Sequence, residues 1–386
     1  MILCGDFYQL PPVFGRALYV KASTRVQDDV LARNLYHQFN RTIELDVVMR
    51  QQGTDRQSTA FRTALDRLRV GTAIKCDWQL LCTRVRCNLS RDEIDSFKQA
   101  LRILPKRQDV QDFNHKRLRE CGEPVLAVRA DNAGPGAAKV ESDEAGNLRK
   151  VLYLAIGCRV MLLENLWTEA GLVNGSIGTV TDLVWRPGVL DPRKEPPQAV
   201  LVKFDRYTGV SISDQQPGVV PILRSTREWL KGQSVCKRSQ FPLTLAYAVT
   251  VHKSQGVTVE QAVLNISETE FTPSLTYVAV SRVKKLTGLM FEEPFDLLKL
   301  RPKGSVSQTE RDNDRVARRG QLVRDRLDFN GARGDELGQV DQVGPVGQVG
   351  HGGEHSGGHG DDEVDQENQP PADNLLDLID LDDGFT

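Results

Sequence analysis

Two hydrophobic textures alternate along the chain. Over Gln57–Val70 the apolar positions Phe61, Ala64, Leu65 and Leu68 repeat at the spacing of one helix face, which predicts a helix there. Ala100–Leu104 is a short apolar run stopped by Pro105, as expected for a strand. Asp109 is then placed to cap a helix carrying Val110, Phe113 and Leu118 on one side. Strand, loop and helix in that order predict a parallel α/β sheet. From Asn174 the period changes to alternation. Asn174–Val180 (NGSIGTV), the stretch through Trp185, Pro187–Pro197 and Ala199–Phe204 (AVLVKF) read as short antiparallel strands of a small β-barrel-like insert. From Gln240 the α/β texture returns, with a strand at Gln261–Ile266 and a helix holding Tyr277–Val283. Met1–Val13 reads as a buried apolar strand running into a polar, proline-rich loop.

Charge divides the chain differently. Net charge is only −2, yet residues from Gly331 onward hold fourteen Asp/Glu against one Arg, a net of −13. Residues 1–330 hold the other 49 basic and 38 acidic side chains, a net of +11. A basic body with an acidic tail suits a polyanion-binding protein whose tail tunes the basic surface, and equally suits solvated charge in both places. The tail is poor in large apolar residues and carries a period-three run over Gln339–Gly350, so it is expected to be disordered. His351, His355 and His359 are separated by glycines, which disfavours a helical metal site, and no metal site is expected. The seven cysteines stand singly, with no CxxC pair, as reduced thiols do. No apolar run of membrane-spanning length occurs.

The densest chemistry lies in Leu243–Ile266, LTLAYAVTVHKSQGVTVEQAVLNI. A strand feeds a segment with a His–Lys pair, small hydroxyls and a glycine, which offers cations and backbone N–H groups to phosphate oxygens. Four blocks occur in a fixed order: GDFYQLPPV (Gly5–Val13), LDVVMRQ (Leu45–Gln51), TVHKSQG (Thr250–Gly256) and YVAVSRV (Tyr277–Val283). In that order they resemble motifs III, IV, V and VI of the Pif (petite integration frequency) family of superfamily 1 DNA helicases, relatives of RecD. NGSIGTV also resembles the family's entry into an SH3-like insert.

The resemblance implies an α/β fold, that of a RecA-like P-loop helicase motor with its first motor domain incomplete and its second complete. A small SH3-like β insert and a disordered C-terminal tail complete it. The expected divisions are 1–40 for the remnant of the first motor domain, 41–173 and 239–300 for the second, and 174–238 for the insert. A basic, helical segment follows at 301–330, then the tail at 331–386. Gln9 would sense the γ-phosphate, and Arg50 and Arg282 would act as arginine fingers across the interdomain cleft. Gly5, Asp6 and Gly256 join Gln9, Arg50 and Arg282 around the nucleotide. Thr250, His252, Lys253 and Ser254 would face single-stranded DNA, with His252 alternatively a packed structural residue. Gly256 is expected to supply φ freedom or a close backbone approach.

ATP and Mg2+ are implied by the family. The triphosphate-binding string GxxxxGK[ST] does not occur in the 386 residues, nor does an apolar strand ending in Asp–Glu. The expectation is therefore the C-terminal portion of an ATP-dependent 5′-to-3′ DNA helicase, inactive as an ATPase in isolation. Its expected partners are single-stranded DNA and duplex junctions, in a nuclear or alternatively mitochondrial setting. The competing expectation is a non-enzymatic module that binds single-stranded DNA or a protein partner. Asn374–Phe385 alternates acid with leucine, a pattern that suits a partner-binding peptide at the acidic tail.

Overall fold

The computed structural model describes residues 1–12, 16–21, 27–192, 195–211, 216–266, 274–301 and 306–320. All of them lie in one compact unit, Met1–Asp325. The acidic tail with its repeat, histidines and leucine–acid stretch lies outside the described residues, as does Val13.

Helix α1 (Gln27–His37) is followed by α2 (Arg56–Arg69), α3 (Lys75–Cys82) and α4 (Arg91–Ser96). The α2 boundary is local chemistry: Asp55 accepts the Ser58 N–H at 2.9 Å, and Phe61, Ala64, Leu65 and Leu68 are buried on one face as their spacing requires. Strand β1 (Leu101–Leu104) then leads into α5 (Arg107–Arg119). That helix starts two residues before Asp109, so Asp109 sits in the first turn, where its charge complements the helix dipole, and does not cap.

A long antiparallel region follows, comprising β2 (Leu126–Arg129), β3 (Asp131–Ala133), β4 (Val151–Leu154), β5 (Arg159–Leu162), β6 (Ile177–Val184), β7 (Ala199–Phe204), β8 (Val219–Ile222), β9 (Ser225–Lys231), β10 (Ser234–Gln240) and β11 (Leu243–Leu245). Three antiparallel sheets result, in the orders β11-β5-β6-β7-β8, β3-β10-β9 and β2-β4. The antiparallel structure is therefore not confined to 174–238. Its first strands are too short for alternation to reveal them, and none of the described residues of 187–197 belongs to a strand. One interior centres on Leu154, Leu162, Val202, Ile222, Phe241 and Leu243.

The chain then returns to β12 (Ala248–Thr250), α6 (Val251–Ser254), β13 (Ala262–Leu264), α7 (Leu275–Val280), β14 (Leu289–Phe291) and α8 (Val306–Arg319). Strands β12-β1-β13-β14 form an all-parallel sheet, with Leu104 in register with Thr250. Its core holds Phe61, Ile103, Leu264, Val278 and Phe291. On the edge strand β12, the Asn114 side chain of α5 donates to the Ala248 carbonyl at 2.9 Å and accepts the Ala248 N–H at 2.8 Å, which satisfies an otherwise open edge.

One expectation fails at the start of this unit. Met1–Cys4 is exposed and forms no strand, because none of the described sheets offers it a neighbour and extended chain becomes a strand only through its ladder partners. The basic segment contributes α8 with Val316 exposed, not buried in a core, while its residues 321–330 lie outside the described residues. The helix instead grips the N-terminal segment. Tyr8 donates to Asp312 at 2.9 Å, with the Arg311 guanidinium 4.1 Å from its ring centroid, and Tyr36 donates to Asp314 at 2.8 Å beneath Arg318. Burial and the Asp314 hydrogen bond push the Tyr36 phenol up to about 12. Among the described residues no helix is long and apolar enough to cross a membrane.

Arg238 organises the antiparallel region from within. It is fully buried and donates to Asn132 Oδ1 and to the carbonyls of Leu148, Ala137 and Val140 at 2.7–3.1 Å. Replacement Arg238→Met removes the donor to the Leu148 and Val140 carbonyls and leaves Ala137 with the Val140 N–H alone, and is expected to cost about 3 kcal/mol. The measurement is chemical denaturation followed by the fluorescence of Trp229, whose ring centroid lies 6.0 Å from the guanidinium.

Candidate functional site

The loop at the head of the chain is organised by Asp6. Its carboxylate accepts the Tyr8 N–H at 3.0 Å, the Gln9 side-chain amide at 3.3 Å and the Arg69 guanidinium at 2.8 Å. Asp6 is thus committed to holding the loop on α2, and a carboxylate so placed does not itself receive a phosphate. Gly5 also contributes nothing specific: an added Cβ would meet open space, and its φ is not positive. Phe7 is no stacking platform, since its ring packs edge-on against Tyr19 at 5.1 Å and Tyr36 at 5.8 Å. Gln9 reaches across the fold, where its side-chain oxygen accepts the Gln255 amide at 3.0 Å. Gln255 stands directly after α6, so the Gln9 loop and the His252–Lys253 turn are in contact.

Arg50 and Arg282 converge from opposite ends of the sequence. Arg50 donates to Thr258 Oγ1 and to the Ser281 carbonyl, both at 2.8 Å. Next to it, buried Gln51 donates to the Val283 carbonyl at 2.7 Å, which fixes the α1-to-α2 connection against the end of α7. Helix α7 stops at Val280, sooner than expected, and this frees Arg282 to turn inward. Arg282 is 3% exposed and donates to the Val278 carbonyl at 2.6 Å, Ser281 Oγ at 2.7 Å and the Ser254 carbonyl at 3.4 Å. Burial, and then the nearby Arg50 cation, hold its guanidinium down to about 10. Burial likewise lowers Arg50. Among the described residues neither guanidinium is paired with a carboxylate. Two neighbouring cations without an acid form a site that an oxyanion would relieve.

The TVHKSQG segment is one helical turn and not an open loop. Thr250 is the N-cap, its hydroxyl accepting the Lys253 N–H at 3.2 Å. Ser254 is fully buried and donates to the Val251 carbonyl at 2.8 Å. Ser254 spends its O–H within the turn, whereas Thr250 accepts there and keeps its own O–H to donate. His252 and Lys253 remain half-buried at the surface. Burial, then Arg149 and, more weakly, Arg107 hold the Lys253 ammonium down to about 8, with Asp143 pulling the other way. Burial and Arg107 lower His252 from its ordinary value, which favours neutral imidazole. Gly256 has φ +82°, and an added Cβ there would meet open space, so the turn needs its φ freedom and no close approach.

Sequence reading missed Gln255, Arg69, Thr258 and Ser281, which join the site only through tertiary contacts. A glutamine directly after the His–Lys–Ser turn was a usable signal; the other three carried none.

The paired guanidiniums predict oxyanion binding. At constant ionic strength, replacing chloride by orthophosphate is expected to stabilise the protein by about 1 kcal/mol in thermal melts, and the effect is expected to vanish in Arg50→Gln.

The comparisons with known proteins agree with this geometry. A family model described as the 2B domain of DNA helicase Pif1 matches residues 143–183. The ATP-dependent DNA helicase PIF1 of Danio rerio is 31% identical over 293 residues, covering 75% of this chain and 40% of the relative. The Bdellovibrio bacteriovorus Pif1 helicase is 27% identical over 289 residues, covering 75% and 57%. The Candida albicans Pif1 crystal structure superposes with a TM-score of 0.59 at 26% identity, covering 81% of this chain and 67% of that one. The Bacteroides Pif1 complex with ADP-AlF4, at 23% identity and a TM-score of 0.52, shares the fold. The chain spans about 40% of the length of the vertebrate relatives it matches. With the parallel RecA-like sheet, the antiparallel region overlapping the 2B match and the ordered motifs together, the chain belongs to the Pif-type superfamily 1 helicases.

Proposed function

We propose that this chain supplies the phosphate-sensing and strand-gripping portion of an ATP-dependent 5′-to-3′ DNA helicase. The observation that carries the reading is the contact between Gln9 and Gln255, which ties a candidate γ-phosphate sensor directly to the His252–Lys253 turn. Arg50 and Arg282 would stabilise charge on the transferring phosphoryl group, and His252 and Lys253 would contact the strand backbone. The donor set fits a phosphate: two guanidiniums and an amide. It does not fit Mg2+, because among the described residues no group of ligating side chains suited to a metal occurs and Asp6 is engaged by Arg69. ATP, when bound, supplies the phosphoryl group, while this chain's residues orient it and report its loss. Single strands and duplex junctions are the proposed DNA partners, in the nucleus or alternatively the mitochondrion.

The test is DNA-stimulated ATP hydrolysis by residues 1–386 alone and by the same residues joined to a half bearing GxxxxGK[ST] and an Asp–Glu motif. Hydrolysis is expected only in the joined protein. There Arg50→Ala and Arg282→Ala are each expected to lower kcat by about a thousandfold or more, with single-strand binding retained. Turnover by residues 1–386 alone, or by an Arg282→Ala protein at full rate, overturns the reading. Strand binding without turnover in the joined protein favours the binding-module alternative.

Lys253 adds a pH signature. Its ammonium binds phosphate only when protonated, so its contribution is present below about pH 8 and lost above. Single-strand affinity by fluorescence anisotropy is expected to fall from about pH 7 to about pH 9 and to be flat over that range in Lys253→Arg.

A further inference from the structure

Parallel strands deliver their C-terminal ends to one edge, and here that edge carries more cation than the His252–Lys253 turn alone. Leu104 and Thr250 are register partners on β1 and β12, so Arg107 and Lys253, each three residues further on, leave the sheet side by side. Open α/β sheets bind ligands outside such carboxyl ends. The segment 141–149 of the antiparallel region closes the other side of this edge. Its bend is set by Gly146 and Asn147, both with positive φ, 63° and 66°. It contributes Arg149, which donates to Thr244 Oγ1 at 3.2 Å, and Asp143, whose carboxylate meets the Arg107 guanidinium at 2.7 Å. Asp143 thus pairs with Arg107 and lies within electrostatic reach of Lys253, which Arg149 also reaches.

That carboxylate has the chemistry of a stand-in. The Arg107 and Asp143 side chains are 73% and 42% exposed, so solvent and ligands reach both. An exposed ion pair contributes little stability, and a phosphate exchanges for it readily. A phosphate also presents an Arg with the same two-oxygen face that a carboxylate does, with more charge.

We infer that Asp143 occupies, in the DNA-free protein, the place of a backbone phosphate of the bound single strand, that Arg107 is a strand-contacting residue which Asp143 releases on binding, and that Arg149, beside the same turn, contacts the same strand. The inference rests on the strand-facing reading of the His252–Lys253 turn. Arg107 leaves the parallel sheet and Arg149 belongs to the antiparallel region, so one strand segment would bridge the two layers. Asp143 would act as a weak competitor for Arg107, lowering strand affinity by the small amount that one exposed ion pair is worth.

The experiment is fluorescence anisotropy of an end-labelled oligothymidylate across a salt series, with thermal melts confirming that each variant is folded. Asp143→Asn is expected to bind roughly two- to fivefold tighter at low salt, the range of one exposed ion pair. Its log–log salt slope is expected to steepen by about 0.7, because Arg107 then releases a counterion where before it released a carboxylate. Arg107→Gln and Arg149→Gln are expected to weaken binding several-fold, and Asp143→Asn is expected to add nothing in the Arg107→Gln background. Unchanged or weaker binding by Asp143→Asn, or wild-type behaviour of both arginine variants, overturns the inference. If Lys253→Gln loses affinity while those variants do not, the strand-facing turn stands and this inference alone falls. If Lys253→Gln is also silent, both fall.

Discussion

The buried guanidinium of Arg282 is the constraint around which the site is assembled. Burying a cation without a carboxylate is unfavourable unless its donors are met, and here they are met by the Val278 and Ser254 carbonyls and Ser281 Oγ. Those acceptors belong to the end of α7 and to the α6 turn, so satisfying one side chain fixes two segments against each other. Arg50 and Gln51 then add bonds to the same Ser281 carbonyl region. The consequence is a preorganised pair of positive groups whose mutual repulsion is held in check by neutral dipoles alone. Such an arrangement is tuned for incoming negative charge, and it does not need to reorganise when that charge arrives.

Around this pair the fold builds a short relay. Asp6 shapes the N-terminal loop and fastens it to α2 through Arg69, while α8 covers Tyr8 with Arg311. The loop is thereby held from two sides, and Gln9 at its crest meets Gln255. A change in the phosphate near Gln9 therefore has a direct hydrogen-bonded route to the turn bearing His252 and Lys253. On the far side of that turn, Arg149 brings the antiparallel region into the same electrostatic neighbourhood. The His252–Lys253 turn and the antiparallel region are adjacent because β1 and β12 are parallel neighbours that release their loops on one edge.

Several losses from the expected site have one cause. Thr250 and Ser254 are polar and lie in a motif, yet a four-residue helical turn needs an N-cap acceptor and a bonded hydroxyl, and these two provide them. Asp6 is likewise spent on loop geometry. A sequence motif lists the residues that build a site together with those that act in it, and only hydrogen-bond partners separate the two. Helix α8 is likewise held by polar chemistry. Its contacts are aromatic rings under guanidiniums and tyrosine–aspartate bonds, which carry no hydrophobic periodicity.

What the sequence by itself determined was the local and the repetitive. The α2 face, the β1 strand with its proline stop, the switch to antiparallel texture and the ordered motifs all follow from spacing and turn chemistry between near neighbours. The tertiary structure decided everything that depends on partners distant in the chain. Met1–Cys4 is apolar enough for a strand but forms none, because a strand requires a ladder that its own residues cannot supply. Asn114 capping the edge of β12, Gln9 meeting Gln255, and Asp143 pairing with Arg107 are all juxtapositions across folded layers. Periodicity registers which face of an element is buried; it contains no information about which polar atoms another element will bring to that face.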